Sequence, residues 1–180
     1  MSEEHSEDPT MVVKSSRFGD LTVPVDSIIE LPTGLIGFSR TQRFIMLEHK
    51  PPFSWLQSVD EPELAFVIVD GGEFGEEYVI EPPYGDRDID LQADDDFAVL
   101  VIITVRPNPK ETTANLKAPV FVNLRNKKGV QVIFDHPALS TRFPLWAQDS
   151  QEDQELGSAT DSMEVDASPS SRKASSDDQD

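Results

Sequence analysis

One stretch of the sequence decides the fold: Phe97-Ala98-Val99-Leu100-Val101-Ile102-Ile103-Thr104-Val105. It is apolar almost throughout and rich in β-branched residues, a composition typical of a strand that is buried on both faces. The segment Arg106-Pro107-Asn108-Pro109 ends it, because proline cannot donate to a β-ladder. We therefore predict a central strand here, and its partners are found on either side.

Similar short runs surround this strand. Residues 64–69 read L-A-F-V-I-V and end at Asp70-Gly71-Gly72, which is a turn signal. Residues 120–124 and 130–134 predict a hairpin in which Gly129 takes the positive φ of a bulged turn. Shorter strands are predicted at 11–13, 21–25, 27–31, 44–47 and 77–81, and a helix of one or two turns at 89–97. The fold class is all-β, a single antiparallel barrel-like domain with at most one short helix.

The formal charge of −19 is concentrated toward both ends of the 180-residue chain. Residues 1–9 contribute −4 and residues 149–180 contribute −8, whereas 10–148 carries −7 from 20 acidic and 13 basic residues. The end segments hold few large apolar side chains, so they cannot bury enough surface to offset the entropy of ordering them. We predict disordered acidic tails at 1–9 and 149–180 around one barrel-like domain at 10–148.

Composition also limits the cellular compartment that we expect for the protein and the kinds of molecule that it can bind. There is no cysteine, and the acidic N-terminus lacks the basic and apolar regions of a signal peptide. No apolar run approaches the ~18 residues of a membrane-spanning helix. The negative middle stretch repels phosphate, and its basic residues are dispersed apart from Arg125, Lys127 and Lys128. We expect a soluble cytoplasmic protein that binds neither nucleic acid nor membrane directly.

Patterns for catalysis and metal binding are weak. The three histidines are isolated from one another, and none has a second histidine at ligand spacing. Asp86-x-Asp88-x-Asp90 has the opening spacing of a calcium loop. However, Leu91 stands where that loop needs glycine and Phe97 where it needs a bidentate glutamate. A solvated acidic loop is the better interpretation, and no metal or cofactor is expected.

Two other functions stay open on the sequence. A carboxylate-based hydrolase could use paired acids such as Glu76-Glu77 or Asp94-Asp95-Asp96, but a general acid needs an apolar pocket that raises its pKa. An acidic small-molecule carrier would need a sizeable apolar cavity in place of a core filled by strand residues such as Phe66 and Val101. Neither is favoured, and we expect no enzyme activity.

Four segments lack an obvious role in the core. They are 29–38 (I-E-L-P-T-G-L-I-G-F), 53–60 (F-S-W-L-Q-S-V-D), 112–119 (T-T-A-N-L-K-A-P) and 142–146 (R-F-P-L-W). The first combines a strand end, a proline, two glycines and apolar residues. Its simplest interpretation is a loop that plugs one end of the barrel with Leu35, Ile36 and Phe38, with the glycines allowing tight turns.

These segments, in this order, resemble the flagellar assembly factor FliW family. The matching tracts are L-P-T-G-L-I-G-F at 31–38, L-Q-S-V-D at 56–60, L-A-F-V-I-V-D at 64–70, T-T-A-N-L-K-A-P-V at 112–120, G-V-Q-V-I at 129–133 and R-F-P-L at 142–145. The resemblance runs from about Met11 to Leu145, essentially the whole predicted domain. The tract 71–78 is richer in Gly and Glu than the family pattern, and the acidic tails are not a family feature.

The resemblance implies a non-enzymatic regulator of flagellum assembly. Proteins similar to this one bind the translational repressor CsrA away from its RNA surface, and so relieve repression of flagellin synthesis. They also bind flagellin, which competes for them in a partner switch. The charge agrees with this, because an acidic protein suits a basic RNA-binding partner and repels RNA.

The first candidate surface is the one for CsrA. Glu73, Glu76 and Glu77 could supply its charge, beside Phe74 and Tyr78 as apolar anchors. The alternative is that this segment is an ordinary solvated hairpin with no partner.

A second candidate surface, for flagellin, consists of Leu35, Ile36 and Phe38, and the alternative there is the barrel plug. Arg142 and Trp146 could form a third surface at the C-terminal end of the domain. Composition alone does not choose between these surfaces.

Overall fold

Alternating apolar residues form two antiparallel sheets in the computed structural model, which describes residues 8–146. The strands are β1 (Thr10–Ser15), β2 (Gly19–Pro24), β3 (Ile29–Glu30), β4 (Arg43–Glu48), β5 (Phe53–Ser58), β6 (Ala65–Asp70), β7 (Phe97–Thr104), β8 (Thr113–Ala114), β9 (Val120–Asn123), β10 (Gly129–Gln131) and β11 (Phe143–Pro144). The helical elements within 8–146 are three 3₁₀ turns, at Val25–Ser27, Gly71–Phe74 and Pro109–Glu111. The predicted tails lie outside the described residues, apart from Asp8 and Pro9.

The larger sheet has the strand order β10-β9-β7-β6-β5-β4-β3, and every neighbouring pair in it is antiparallel. The predicted central strand is β7, which pairs with β6 and β9 and, through Ile103 and Thr104, with β8. Strands β1 and β2 form a separate hairpin. The predicted all-β antiparallel class is therefore confirmed.

The larger sheet is barrel-like but does not close. Its two end strands, β3 and β10, approach at one point, where the Glu30 N–H donates to the Lys127 carbonyl at 2.9 Å. Glu30 also forms an isolated parallel bridge with Lys128. One bridge is not a strand ladder, so the barrel expected from the sequence is an open sheet whose ends only touch.

One face of this sheet carries a core of large aliphatic and aromatic side chains. Leu56, Ile68 and Leu100 project from neighbouring strands into the same cluster, and the loop residues Leu31 and Leu35 fill it from the end. Burial of each such side chain stabilises the fold by ~1.5–3 kcal/mol. The loop of residues 31–38 is thus part of the core as well as a connection.

The opposite face of the sheet is covered by two separate hydrophobic clusters. Val69, Val101 and Ile103 cluster with Leu116, and Phe143 and Leu145 pack against them, whereas Phe121 clusters with Ile89. This second layer comes from the long β6–β7 connection and the C-terminal part of the domain. Both faces of β7 are therefore buried, as its continuous apolar run predicts.

The β1–β2 hairpin is attached to the rest of the domain by several hydrogen bonds and one aromatic cluster. The Ser16 N–H and hydroxyl both donate to the Pro62 carbonyl, at 2.9 and 3.1 Å. The Ser15 hydroxyl donates to the buried Gln57 side chain at 2.8 Å. Beside it, the Phe18 and Trp55 rings meet edge to face at 5.6 Å, and the Arg17 guanidinium lies 4.5 Å from the Trp55 ring centroid. These contacts place the hairpin over β5.

Three local predictions are wrong, and one strand is not predicted. The strand that is not predicted is β5, whereas the predicted strand at 77–81 and the predicted helix at 89–97 do not form. The third wrong prediction is a positive φ at Gly129. In the hairpin between β9 and β10, the residue with positive φ is Lys127, at 58°. Gly129 is required for space, because a Cβ there would lie 2.6 Å from Leu31 Cδ2 and 2.8 Å from the Phe121 carbonyl oxygen.

Candidate functional site

Negative charge is concentrated in the connection between β6 and β7, residues 71–96, which we call the acidic connection. It holds ten carboxylates and one basic residue, Arg87, for a net charge of −9. The rest of residues 10–148 has a net charge of +2. The acidity of the domain is therefore a property of this one connection.

The first half of the acidic connection brings together the residues predicted to bind CsrA. Glu73, Glu76 and Glu77 are exposed, and none of them forms a hydrogen bond or ion pair within the described residues. Glu73 lies in the 3₁₀ turn Gly71–Phe74, which begins where the Asp70 carboxylate accepts a hydrogen bond from the Gly72 N–H. The turn thus presents uncompensated charge to solvent.

Phe74 and Tyr78 have a different role from the one predicted. Both are half-buried, and the Phe74 ring packs edge to face against Tyr78 at 5.8 Å and Phe143 at 6.2 Å. The Tyr78 hydroxyl donates to the Leu116 carbonyl at 3.0 Å, and burial raises the pKa of Tyr78 to about 12. These two aromatic side chains attach the turn to the core, and the glutamates form its outer surface.

In the second half of the acidic connection, Arg125 pairs with two of the carboxylates, Asp90 and Asp95. The Arg125 Nε lies 2.7 Å from Asp95 Oδ1, and its Nη2 lies 3.2 Å from Asp90 Oδ2 and 2.8 Å from the Asp90 carbonyl oxygen. The hydrogen bond from Arg125, supported by one from the Gln92 N–H, lowers the pKa of Asp95 to about 2. The same bonds, to Asp95 first and then Asp90, raise the pKa of Arg125.

Buried contacts give this half of the connection a structural role. Ile89 and Leu91 are fully buried beside Phe121, and the Asn123 side chain donates to the Ile89 carbonyl at 3.2 Å. Within residues 8–146 no cluster of three or more His, Cys, Asp or Glu side chains is arranged to hold a metal ion. The calcium-like spacing at 86–90 therefore belongs to a loop that is held by an arginine.

We expect the Asp95 carboxyl to titrate near pH 2, which ¹³C NMR of its side-chain carboxyl carbon would measure. A depressed pKa contributes stability above the ordinary value of 3.8, and that contribution is lost as the pH falls through about 2. Arg125→Gln should raise the Asp95 pKa toward its ordinary value. Arg125→Lys keeps the charge but not the planar fork and should give an intermediate pKa. An unchanged titration in Arg125→Gln would show that Arg125 is not the cause.

The three residues of the second predicted surface differ in burial. Leu35 is only 2% exposed and packs in the core, so its side chain cannot contact a partner. Ile36 and Phe38 are 57% and 39% exposed, and the Phe38 ring rests edge to face on Phe66 at 5.1 Å. The plug interpretation holds for Leu35, and the surface interpretation is open only to Ile36 and Phe38.

The third predicted surface is described only in part. Arg142 is exposed, and its backbone N–H donates to the Ser140 hydroxyl at 3.0 Å. Trp146 is 39% exposed and is the last described residue. Residues beyond Trp146 lie outside the described part of the chain.

Two residues of this region were not singled out from the sequence. Asp70 was read as part of a turn signal, yet it caps the 3₁₀ turn and stands beside an open cavity of about 220 Å³. In the sequence, Arg125 stands out only as one of a few clustered basic residues. Its position in a tight turn after β9, with an acidic run elsewhere in the chain, is the signal that could have identified it.

The two rival functions gain no support from the described residues. The carboxylate with a clearly shifted pKa, Asp95, is shifted downward, which is the opposite of what a general acid requires. A carrier would need an apolar cavity in the core, whereas Val101 and Ile103 of β7 are buried among other core side chains. Residues 8–146 contain no helix with the length and apolarity needed to cross a bilayer.

The fold and the charge define an acidic all-β domain with an exposed, uncompensated anionic turn. Residues 12–145 match the family model described as FliW protein. The flagellar assembly factor FliW of Natranaerobius thermophilus is 39% identical over 140 residues, which is 76% of this chain and 93% of that protein. The one from Geobacter sulfurreducens is 33% identical over 141 residues, which is 77% of this chain and 88% of that protein.

A solved structure agrees with these sequence relatives. The crystal structure of the flagellar assembly factor FliW superposes with a TM-score of 0.69 at 28% identity, and covers 77% of this chain and 99% of that one. The chain belongs to the FliW family. The resemblance read from the sequence motifs is confirmed.

Proposed function

We propose that this protein is a non-enzymatic regulator of flagellum assembly that acts in the cytoplasm. It binds the translational repressor CsrA away from the RNA surface of CsrA, and so relieves repression of flagellin synthesis. It also binds flagellin, and the two partners exchange. Membership of a family whose relatives are named flagellar assembly factors supports the role in flagellum assembly.

The observation that carries the CsrA assignment is the unpaired charge of the acidic connection. In its second half Asp90 and Asp95 are paired with Arg125, whereas in its first half Glu73, Glu76 and Glu77 have no partner within the described residues. Such a surface attracts a basic protein during encounter and repels a polyanion. Phe74 and Tyr78 hold this surface in place through the core.

The flagellin assignment rests on a different segment. Ile36 and Phe38 are exposed apolar residues on a loop fixed by the buried Leu35 and by a hydrogen bond from the Ile36 N–H to the Gln131 side chain at 2.8 Å. A rigid loop that exposes apolar side chains loses little entropy on binding. If CsrA and flagellin bind separate surfaces, exchange requires that binding of one partner lowers the affinity for the other.

The charge of the turn can be tested with a triple variant, Glu73→Gln, Glu76→Gln and Glu77→Gln. Exposed ion pairs contribute only ~0–1 kcal/mol each, so single changes should barely alter the affinity for CsrA. The triple variant should associate about tenfold more slowly at low salt, with weaker dependence on ionic strength, because exposed charge acts mainly on encounter. Association with immobilised CsrA at two ionic strengths measures this.

The matched control removes the same charge elsewhere, by Asp26→Asn, Glu48→Gln and Glu63→Gln, at three residues that are also exposed. This control should keep the parent's association rate within about twofold, because distant charges are screened beyond a Debye length. Equal rates for the two triple variants would mean that net charge matters and that the turn is not the interface.

A further inference from the structure

An open cavity of about 220 Å³ lies beside the 3₁₀ turn Gly71–Phe74 and the start of β7. Tyr78, Ile80 and Phe97 give it apolar side chains, and the Asp70 carboxylate gives it a charged one. A cavity of roughly 150 Å³ is large enough to hold benzene. This one therefore has room for one large side chain from another molecule.

Three glycines, Gly71, Gly72 and Gly75, line this cavity. A Cβ on Gly75 would meet no atom within 4 Å, and one on Gly72 would meet only Asp70 Oδ1, at 3.0 Å. Gly71 lies tight against the sheet, because its Cβ would be 2.8 Å from Val99 Cγ1. The turn thus packs closely at its base and leaves space where it faces solvent.

The charge at the cavity is uncompensated. Asp70 Oδ1 accepts the Gly72 N–H at 2.8 Å, and the Asp70 carboxylate has no ion pair or other hydrogen bond within residues 8–146. The exposed Glu73 and Glu76 follow within the next few residues and are equally unpaired. A ligand here meets apolar walls and a carboxylate, which excludes phosphates and favours a cation on an aliphatic stem.

We propose that this cavity receives one arginine side chain of a basic protein partner. Its aliphatic part contacts Ile80 and Phe97, and its guanidinium pairs with Asp70. Arginine suits the cavity better than lysine, because guanidinium is more weakly hydrated, stacks on aromatic rings and bonds carboxylates through a planar fork. The inference deepens the proposed function, since it assigns the acidic surface a specific anchor point for CsrA.

The cavity can be tested without CsrA by NMR titration of ¹⁵N-labelled protein with N-acetyl-arginine methylamide. We expect saturable shifts centred on the amides of Gly71, Gly72 and Gly75. The neutral analogue N-acetyl-citrulline methylamide, which has nearly the same shape, should bind about tenfold more weakly, as should arginine to Asp70→Asn. Asn keeps the oxygen that accepts the Gly72 N–H, so the turn stays capped. Asp26→Asn is the matched control and should bind like the parent.

Equal shifts from the arginine and citrulline probes, or unchanged binding in Asp70→Asn, would overturn the inference. Measurement of CsrA binding then distinguishes failure of this inference from failure of the proposed function. If the parent does not bind CsrA, the proposed function fails, and the arginine titration alone decides the cavity. If the parent binds CsrA and Asp70→Asn binds it as tightly as Asp26→Asn does, the anchor is refuted and the regulator is retained. Asp70→Asn is expected to bind CsrA about tenfold more weakly.

Discussion

Replacement of Gly34 by alanine is expected to lower the free energy of unfolding by about 4 kcal/mol, a loss at the upper end for single substitutions. Gly34 has a φ of +67°, a left-handed conformation that costs a side-chain-bearing residue ~1–3 kcal/mol. A Cβ would also lie 2.5 Å from the Phe38 carbonyl oxygen and 2.7 Å from Ser39 Cα. Both neighbours are backbone atoms, so no change of rotamer relieves the clash.

Gly37 in the same loop provides the matched control. Its φ is +86°, but a Cβ there meets no atom within 4 Å, so Gly37→Ala should cost only the conformational term of ~1–2 kcal/mol. Urea denaturation followed by tryptophan fluorescence would measure both variants. Equal losses for the two alanine variants would contradict the close approach at Gly34.

The second large effect is expected for Leu35→Ala, at about 3 kcal/mol, because this change leaves a cavity in the main core. The adjacent Ile36 is mostly exposed, and Ile36→Ala should change the free energy of unfolding by less than ~0.5 kcal/mol. The same denaturation experiment separates the two. A comparable loss in both variants would mean that the loop docks differently from the structure.

This pair of variants also serves the proposed flagellin surface. Ile36→Ala remains folded, so a loss of flagellin binding in that variant reports on contact and not on stability. Leu35→Ala cannot be interpreted in this way, because a weakened core would lower binding indirectly. Only the exposed members of the loop are useful probes of recognition.

The strands that the sequence predicts well are those with continuous apolar runs, β6 and β7, because local composition alone specifies burial on both faces. Strand β5 could not be recognised in the same way, since it mixes polar and apolar residues. Gln57 is fully buried within it and forms hydrogen bonds with the Ser15 hydroxyl and the Ser58 and Leu64 carbonyls. Partners at a distance make this polar residue suitable for the interior, and no local pattern reveals them.

In the β6–β7 connection, the local sequence predicts a strand that does not form. The run Tyr78-Val79-Ile80 predicts a strand over 77–81, but Tyr78 packs on Phe74 and bonds to Leu116, and the segment pairs with no strand within the described residues. The position of the acidic charge was readable from the sequence. The sequence does not show which carboxylates are paired with an arginine, because Arg125 lies some thirty residues beyond its partner Asp95. Tertiary contacts therefore decide which part of the connection is free to bind.

The most direct test of the proposed function is a gel-shift titration with purified CsrA and a flagellin leader RNA. We expect no shift of the RNA by this protein alone, because its net charge is negative and its acidic turn is unpaired. Added to a preformed CsrA–RNA complex, the parent should release the RNA, and the Glu73, Glu76 and Glu77 triple variant should do so more slowly. A direct shift that weakens steeply with salt, or a CsrA–RNA complex that persists at saturating protein, would contradict the account.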